Sequence, residues 1–255
     1  MTRVYRRSPL IEAICEFQFQ SDKTWDWTIP GLVYQQIDED FPVKSQEQSF
    51  QLNLSVAPSP LQSNTQLIQP LPHQLGGALT KMQFLTPDRA AMVQVGPDLL
   101  AINVRAPYPG WETFAELIQK QFEIYVGIAG PTKFRRIGLR YINRIDFAVD
   151  AIEITKYFSY YPHLPEGIEQ KHGPFAMRVT HPQANDRDLL TVNLANVVPS
   201  ATLSYLFDLD YSLLSPDSIE LNKGLVWVRD AHAKIEAMFE ACITDDLRKC
   251  FEVAK

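Results

Sequence analysis

Two stretches of this chain alternate like strands of one kind but carry opposite charges, and that match constrains the fold more than any other feature. Residues 9–19 read Pro-Leu-Ile-Glu-Ala-Ile-Cys-Glu-Phe-Gln-Phe, and residues 134–147 read Phe-Arg-Arg-Ile-Gly-Leu-Arg-Tyr-Ile-Asn-Arg-Ile-Asp-Phe. Successive side chains of a strand point to opposite faces. In the first stretch Ile11, Ala13, Cys15, Phe17 and Phe19 share one face, and Glu12, Glu16 and Gln18 the other. In the second, Ile137, Leu139, Tyr141, Ile145 and Phe147 share one face, and Arg136, Arg140 and Arg144 the other. Charges recur every four residues in both, roughly 13 Å along a strand. An antiparallel pairing would let each glutamate face an arginine. Such cross-strand pairs contribute roughly 0.2–1 kcal/mol each and fix register.

The arginine strand holds more charge than Glu12 and Glu16 can neutralise. Guanidinium forks suit carboxylates and phosphates. Arg136, Arg140, Arg144, Asn143, Glu12 and Glu16 are therefore the candidate ligand- or partner-binding residues. A phosphodiester track would need more uncompensated charge, and Asp146 reduces what is present, so nucleic acid is the less favoured partner. Read as an acid/base pair, the two glutamates stand too far apart, since glycosidase carboxylates are about 5–9.5 Å from each other.

The rest of the chain repeats an order of elements. Thr28 stands before a helical pattern through Leu32, Val33, Gln36 and Ile37 that ends before Pro42. Residues 49–56 alternate cleanly as a half-buried strand, and 57–77, rich in Pro, Gln and Ser, read as a surface excursion. Strand-like runs follow at 79–86, 90–95 and 99–105, the last two joined by a turn at Gly96-Pro97-Asp98. Trp111, Phe114, Leu117, Ile118, Phe122 and Tyr125 then recur at helical spacing, with Gly127, Gly130 and Pro131 as the stop. After the arginine strand come a short helical stretch at 152–158, strand-like runs at 175–181, 188–196 and 201–211, and a helix from about 222 to 243. Thr244 caps a last turn near Phe251.

The expected fold is α+β: an internally duplicated strand-helix-antiparallel sheet-helix unit. Its halves are residues 1–130 and 131–255, packed as one globular unit. This order resembles tandem folds such as the TATA-binding-protein fold, a saddle with one open sheet face. At 255 residues with 45% hydrophobic content, the chain can bury a sizeable core.

Four segments carry a further resemblance: Pro9-Leu10-Ile11-Glu12-Ala13-Ile14-Cys15-Glu16-Phe17, Tyr108-Pro109-Gly110-Trp111-Glu112-Thr113-Phe114, Arg136-Ile137-Gly138-Leu139-Arg140-Tyr141-Ile142-Asn143-Arg144, and, more weakly, Phe239-Glu240-Ala241-Cys242-Ile243-Thr244-Asp245. The chain resembles, over essentially its whole length, a sporadically distributed and uncharacterised family of bacterial proteins of about this size. The resemblance implies a cytoplasmic prokaryotic protein, and it supplies no activity, cofactor or catalytic residue.

Other constellations are better explained by structure than by chemistry. Net charge is −6, against a chain-wide phosphate binder. No apolar run approaches the roughly 18–20 residues that span a bilayer, and the first residues lack the apolar core of a secretory signal. Cys15, Cys242 and Cys250 are an odd number without metal spacing, and read as inert thiols in a reducing compartment. Asp208 and Asp210 share one strand face and read as exposed polar residues. The five histidines show no ligand spacing, and His232 reads as a core or rim residue of the last helix. There is no G-x-S-x-G and no Gly-rich phosphate loop. Trp25, Trp27, Tyr108 and Trp111 flank helix starts and are the candidate interaction residues, since Trp and Tyr dominate binding hot spots.

The expected function is a non-enzymatic binding or regulatory protein that uses its charged sheet face. No catalytic residue, metal or cofactor is implied. The alternative is an enzyme or sensor that holds a small anion through Arg136, Arg140 or Arg144. The partner is then a protein or a small anionic ligand, with no membrane association and a possible homo-oligomer.

Overall fold

The computed structural model describes residues 5–21, 24–45, 81–169, 172–197 and 203–252. Up to residue 130 the elements are β1 (Leu10–Gln20), α1 (Ile29–Ile37), β2 (Val43–Ser45), β3 (Met82–Leu85), β4 (Ala91–Gly96), β5 (Leu99–Arg105) and α2 (Trp111–Ala129). Then follow β6 (Lys133–Phe147), α3 (Ile154–Tyr157), β7 (Ala176–Gln183), β8 (Asp188–Val197), β9 (Leu203–Leu213), α4 (Gly224–Cys242) and α5 (Asp245–Cys250). The strand expected at 49–56 and the excursion at 57–77 lie outside the described residues.

All nine described strands join one antiparallel sheet in the order β2-β3-β4-β5-β1-β6-β9-β8-β7. The two alternating stretches are central neighbours, with Ala13 opposite Tyr141 and Phe17 opposite Ile137. The core face of this pair is as the alternation requires: Ala13, Cys15, Phe17, Ile137 and Leu139 are fully buried. One expected core residue is not there. Ile11 is 38% exposed, while Leu10 is buried. The register slips between Leu10 and Glu12, so Ile11 is an extra residue that the bulge turns outward. A second slip leaves Arg135 unpaired, which lets both Phe134 and Ile137 face the core.

Helices cover that one face. α2 buries Phe114, Ile118, Phe122 and Tyr125, a stripe of the 3.6-residue period. Phe122 sits 4.8 Å from Phe17 between ring centroids, and Tyr125 stacks on Phe19 at 5.0 Å. The helix runs on through Gly127 and stops at Gly130, whose left-handed φ of 58° lets its N–H reach the Val126 carbonyl. α4 buries Trp227, Val228, Ala231, Ile235 and Cys242 on β6 and β9. It starts at a glycine because a Cβ on Gly224 would come within 2.4 Å of the Phe134 ring.

A buried carboxylate ties α4 to the sheet. Asp188 of β8 is 1% exposed. It accepts hydrogen bonds from Trp227 Nε1 at 3.1 Å, the Tyr211 hydroxyl at 3.0 Å and the Arg187 guanidinium at 2.7 Å. Thr244 caps α5 as expected, accepting from the Leu247 N–H. Cys15 and Cys242 are buried and Cys250 is exposed. No described helix is long and apolar enough to cross a membrane.

Candidate functional site

The face of the sheet away from the helices carries the charges, and they are arranged differently from the sequence expectation. Glu16 lies opposite Gly138, not opposite an arginine. Arg136 folds over that glycine to reach Glu16 at 3.0 Å. A Cβ on Gly138 would stand 2.8 Å from its guanidinium. Arg136 also approaches Asp210 at 3.5 Å. Glu12 lies opposite Ile142, and Arg140 makes a fork-to-fork pair with Asp208, at 2.7 and 2.8 Å. Asn193 of β8 donates to the same carboxylate at 2.9 Å. Arg144 pairs with Asp146 two residues along its own strand. Glu12 accepts from Asn103 at 3.0 Å and lies 3.7 Å from Arg105.

Two sequence readings are corrected here. The arginine strand is not left with surplus charge, because β9 supplies Asp208 and Asp210 on its other side. Nor is Asp208 an exposed polar residue, since its side chain is 3% exposed. β6 is a basic strand between two acidic ones. The titration behaviour follows from that arrangement. Burial works to lower the Arg140 pKa, but the bonds and charge of Asp208, with Asp210 and Glu12 behind it, raise it overall. Burial pushes the Asp210 carboxyl above its ordinary value of 3.8, against the pull of Arg136 and Arg140.

The sign of that last shift gives a test. A carboxyl raised in the folded state binds more protons folded than unfolded, so its contribution to stability falls as pH rises from about 3.8 through its folded value. Arg136→Met removes a group that holds this pKa down. Carbon-detected carboxyl titration should find Asp210 losing its proton at higher pH in the variant than in the wild type. An unchanged midpoint would mean that the pair is not coupled.

On the helix side, a cleft of about 190 Å³ opens between the start of α2, the residues leading into β1, and α4. It brings together candidates that the sequence kept in separate groups. Tyr108, just before α2, and Trp111, its first residue, line it, and Asn143 lines it from β6. Asn143 belongs to the core face, not the arginine face, and its amide donates to the Phe207 carbonyl at 3.0 Å. Trp27 is 65% exposed, while Trp25 lines a different cavity with Asp26 and Tyr125.

Sequence reasoning missed the residues that give the cleft its polarity. His232 stacks face to face on Trp111, with centroids 3.8 Å apart, and its Nδ1 lies 2.8 Å from the Tyr141 hydroxyl. That hydroxyl is 3.5 Å from the hydroxyl of Tyr108. Burial lowers the His232 pKa to about 4, so the imidazole is neutral near pH 7. A neutral ring accepts through one nitrogen and donates through the other. Tyr141 donating to Nδ1 is the assignment that satisfies both partners, and it leaves the ring proton on Nε2.

Glu236 and Glu240 line the same cleft. Glu240 accepts from the Tyr5 hydroxyl and pairs with Arg248 at 2.8 Å. Burial pushes the Tyr108 hydroxyl up to about 12, with Glu236 adding to the rise. The Tyr141 hydroxyl is raised for the same first reason, with Tyr108 and Glu236 among the contributors. Both hydroxyls stay protonated at neutral pH. The legible signals for this cluster were the placement of His232 near the inner edge of the last helix and of Tyr108 and Trp111 beside a helix start.

Among the described residues no group of three or more His, Cys, Asp and Glu side chains is placed to hold a metal ion. No protein-family model matches the chain, and no curated protein matches it.

Proposed function

We propose that this protein acts by binding, as a regulatory or sensing module, and that its site is the cleft between α2 and α4. The observation that carries this reading is the joining of Tyr108, Trp111, Tyr141, Asn143 and His232 around one concave space. An aromatic lining with a few placed polar groups is the usual make-up of a small-molecule pocket. The charged sheet face is the weaker candidate. Its arginines are taken up by Glu16, Asp208, Asp210 and Asp146, which leaves little for an external anion or a phosphate backbone. That face acts as an ionic clasp across β1, β6 and β9.

The fold supplies a reason for the cleft's position. We read residues 1–130 and 131–255 as two copies of a strand-helix-sheet-helix unit, arranged like the TATA-binding-protein tandem. The support is the strand order, which runs outward from the central pair as β1-β5-β4-β3-β2 on one side and β6-β9-β8-β7 on the other. A helix of 19 residues follows each set, α2 and α4. Leu10, Tyr108 and Trp111 come from the first unit, and Tyr141, His232 and Glu236 from the second. A ligand held there would touch both units, and so would couple their packing to its presence.

A fragment screen read by amide chemical-shift changes tests this. Hits should cluster on Tyr108, Trp111, Tyr141 and His232 and lose at least tenfold in affinity in Trp111→Ala. Hits that map to the arginine face, or none at all, would sink the reading.

A further inference from the structure

We propose that the cleft takes a neutral aromatic carboxamide, held at its carbonyl oxygen by two donors and at its N–H by one acceptor. This rests on the cleft being the binding site, and goes on to its chemistry. The polar groups of the lining sort by the direction in which they can still bond. The Nδ1 of His232 is taken by the Tyr141 hydroxyl, and its Nε2–H has no partner among the described residues. The Tyr108 hydroxyl stands 3.5 Å from the Tyr141 oxygen, at the outer limit of a hydrogen bond. Because Tyr141 gives its proton to His232, Tyr108 is the donor in that contact, and it can turn to a closer acceptor.

Asn143 works in the opposite sense. It is 4% exposed, and its Nδ2 donates to the Phe207 carbonyl at 3.0 Å. A carbonyl can only accept, so that bond fixes which end of the side-chain amide is which. Oδ1 is the acceptor left over, with no partner among the described residues. Tyr141 and Asn143 are two residues apart on one face of β6, roughly 6.5 Å along the strand. The cleft thus offers donors around the Tyr141 hydroxyl and an acceptor one step along β6. A carboxamide carries the complementary pair, C=O beside N–H, in one rigid plane. A ligand that meets a buried polar group removes the cost of leaving it unmet.

Charge narrows the class. Burial lowers the His232 pKa to about 4 and raises that of Tyr108 to about 12, so both are uncharged near pH 7. The lining contains neither lysine nor arginine. A carboxylate would meet no counter-charge there and would turn an acceptor towards Asn143. An amidinium would turn donors towards Tyr108 and His232. Glu236 and Glu240 are both engaged by other groups, so neither is assigned to the ligand.

Leu10, Trp111, Leu209, Ile235 and Phe239 supply apolar wall for the ring. An apolar cavity of about 150 Å³ holds benzene. The cleft, at about 190 Å³, has room for a ring and one small substituent. Benzamide fits that description. Acetophenone, benzoate and benzamidinium share its shape: the first lacks the N–H donors, the second accepts at both ends, and the third donates at both.

Titration of the whole chain with these four compounds at pH 7, followed by amide chemical shifts, gives both the site and the order. Benzamide should perturb Tyr108, Trp111, Asn143 and His232 and bind most tightly. Acetophenone should bind roughly three- to tenfold more weakly. Benzoate and benzamidinium should each bind at least about tenfold more weakly, because their charge is desolvated without a matching partner. Tyr108→Phe removes one donor and keeps the ring, and should weaken benzamide by roughly three- to tenfold. If the shifts fall in the cleft but another of the four binds as tightly as benzamide, the carboxamide assignment is wrong while the cleft remains the site. An unchanged benzamide affinity in Tyr108→Phe overturns the assignment in the same way. If none of the four binds, or if binding maps elsewhere, both the assignment and the site are wrong. The four-compound comparison on the wild type needs no variant to fold.

Discussion

Asp208→Ala should be among the most destabilising single substitutions in the molecule, by about 3–5 kcal/mol, because it takes the bidentate carboxylate partner away from a largely buried guanidinium. Arg140 has 25% of its side chain exposed, and Asp208 has 3%. The alanine variant leaves both arms of the Arg140 fork and the Asn193 amide without their shared acceptor. Water cannot fully replace it in the middle of a nine-stranded sheet. For a chain of this size, a loss of that order lowers the melting temperature by roughly 6–20 °C. Thermal unfolding of the purified variant is the check, and a drop of under about 2 °C would mean that the pair is solvated in practice.

The same site separates the cost of breaking an ion pair from the worth of having one. Replacing both partners, as Arg140→Met with Asp208→Leu, removes the buried guanidinium along with the carboxylate. Such double replacements are often neutral or stabilising. The double variant should therefore recover most of the stability lost in Asp208→Ala. If it unfolds as easily as the single variant, the pair contributes stability that packing cannot substitute.

The central β1–β6 pair was legible because alternation and charge spacing are local properties of each strand. The identity of the arginines' true partners was not. Asp208 and Asp210 alternate correctly in their own segment, but nothing in that segment says that β9 lies beside β6. The position of Ile11 failed for a different reason. A bulge costs the sequence no visible signature, yet one extra residue reverses every face assignment beyond it. The cleft was half legible. Tyr108, Trp111 and Asn143 attracted attention for separate reasons, but their meeting with Tyr141 and His232 depends on how α4 crosses the sheet. That crossing follows from tertiary contacts such as Gly224 against Phe134, which no periodicity in the sequence predicts.

The packing of α4 also rests on Asp188, and its removal should have an effect comparable to that of Asp208→Ala. Asp188→Ala would leave Trp227 Nε1, in a side chain only 4% exposed, without its acceptor. The Tyr211 hydroxyl keeps a second contact, since Lys234 donates to it at 2.6 Å, and Arg187 is exposed enough to turn towards water. The cost thus falls mainly on the indole and on the lost charged acceptor, at about 2–4 kcal/mol in total. Asp188→Asn offers the discriminating comparison. The amide oxygen can still accept from Trp227, but the NH2 that replaces the second carboxylate oxygen cannot accept from Arg187 or Tyr211. The asparagine variant should recover about half of the loss. Because Trp227 and His232 lie on the same helix, a loosened α4 should also weaken any ligand in the cleft without a change in its lining. Equal destabilisation by Ala and Asn, measured by urea unfolding, would place the whole effect in the negative charge and none in the indole bond.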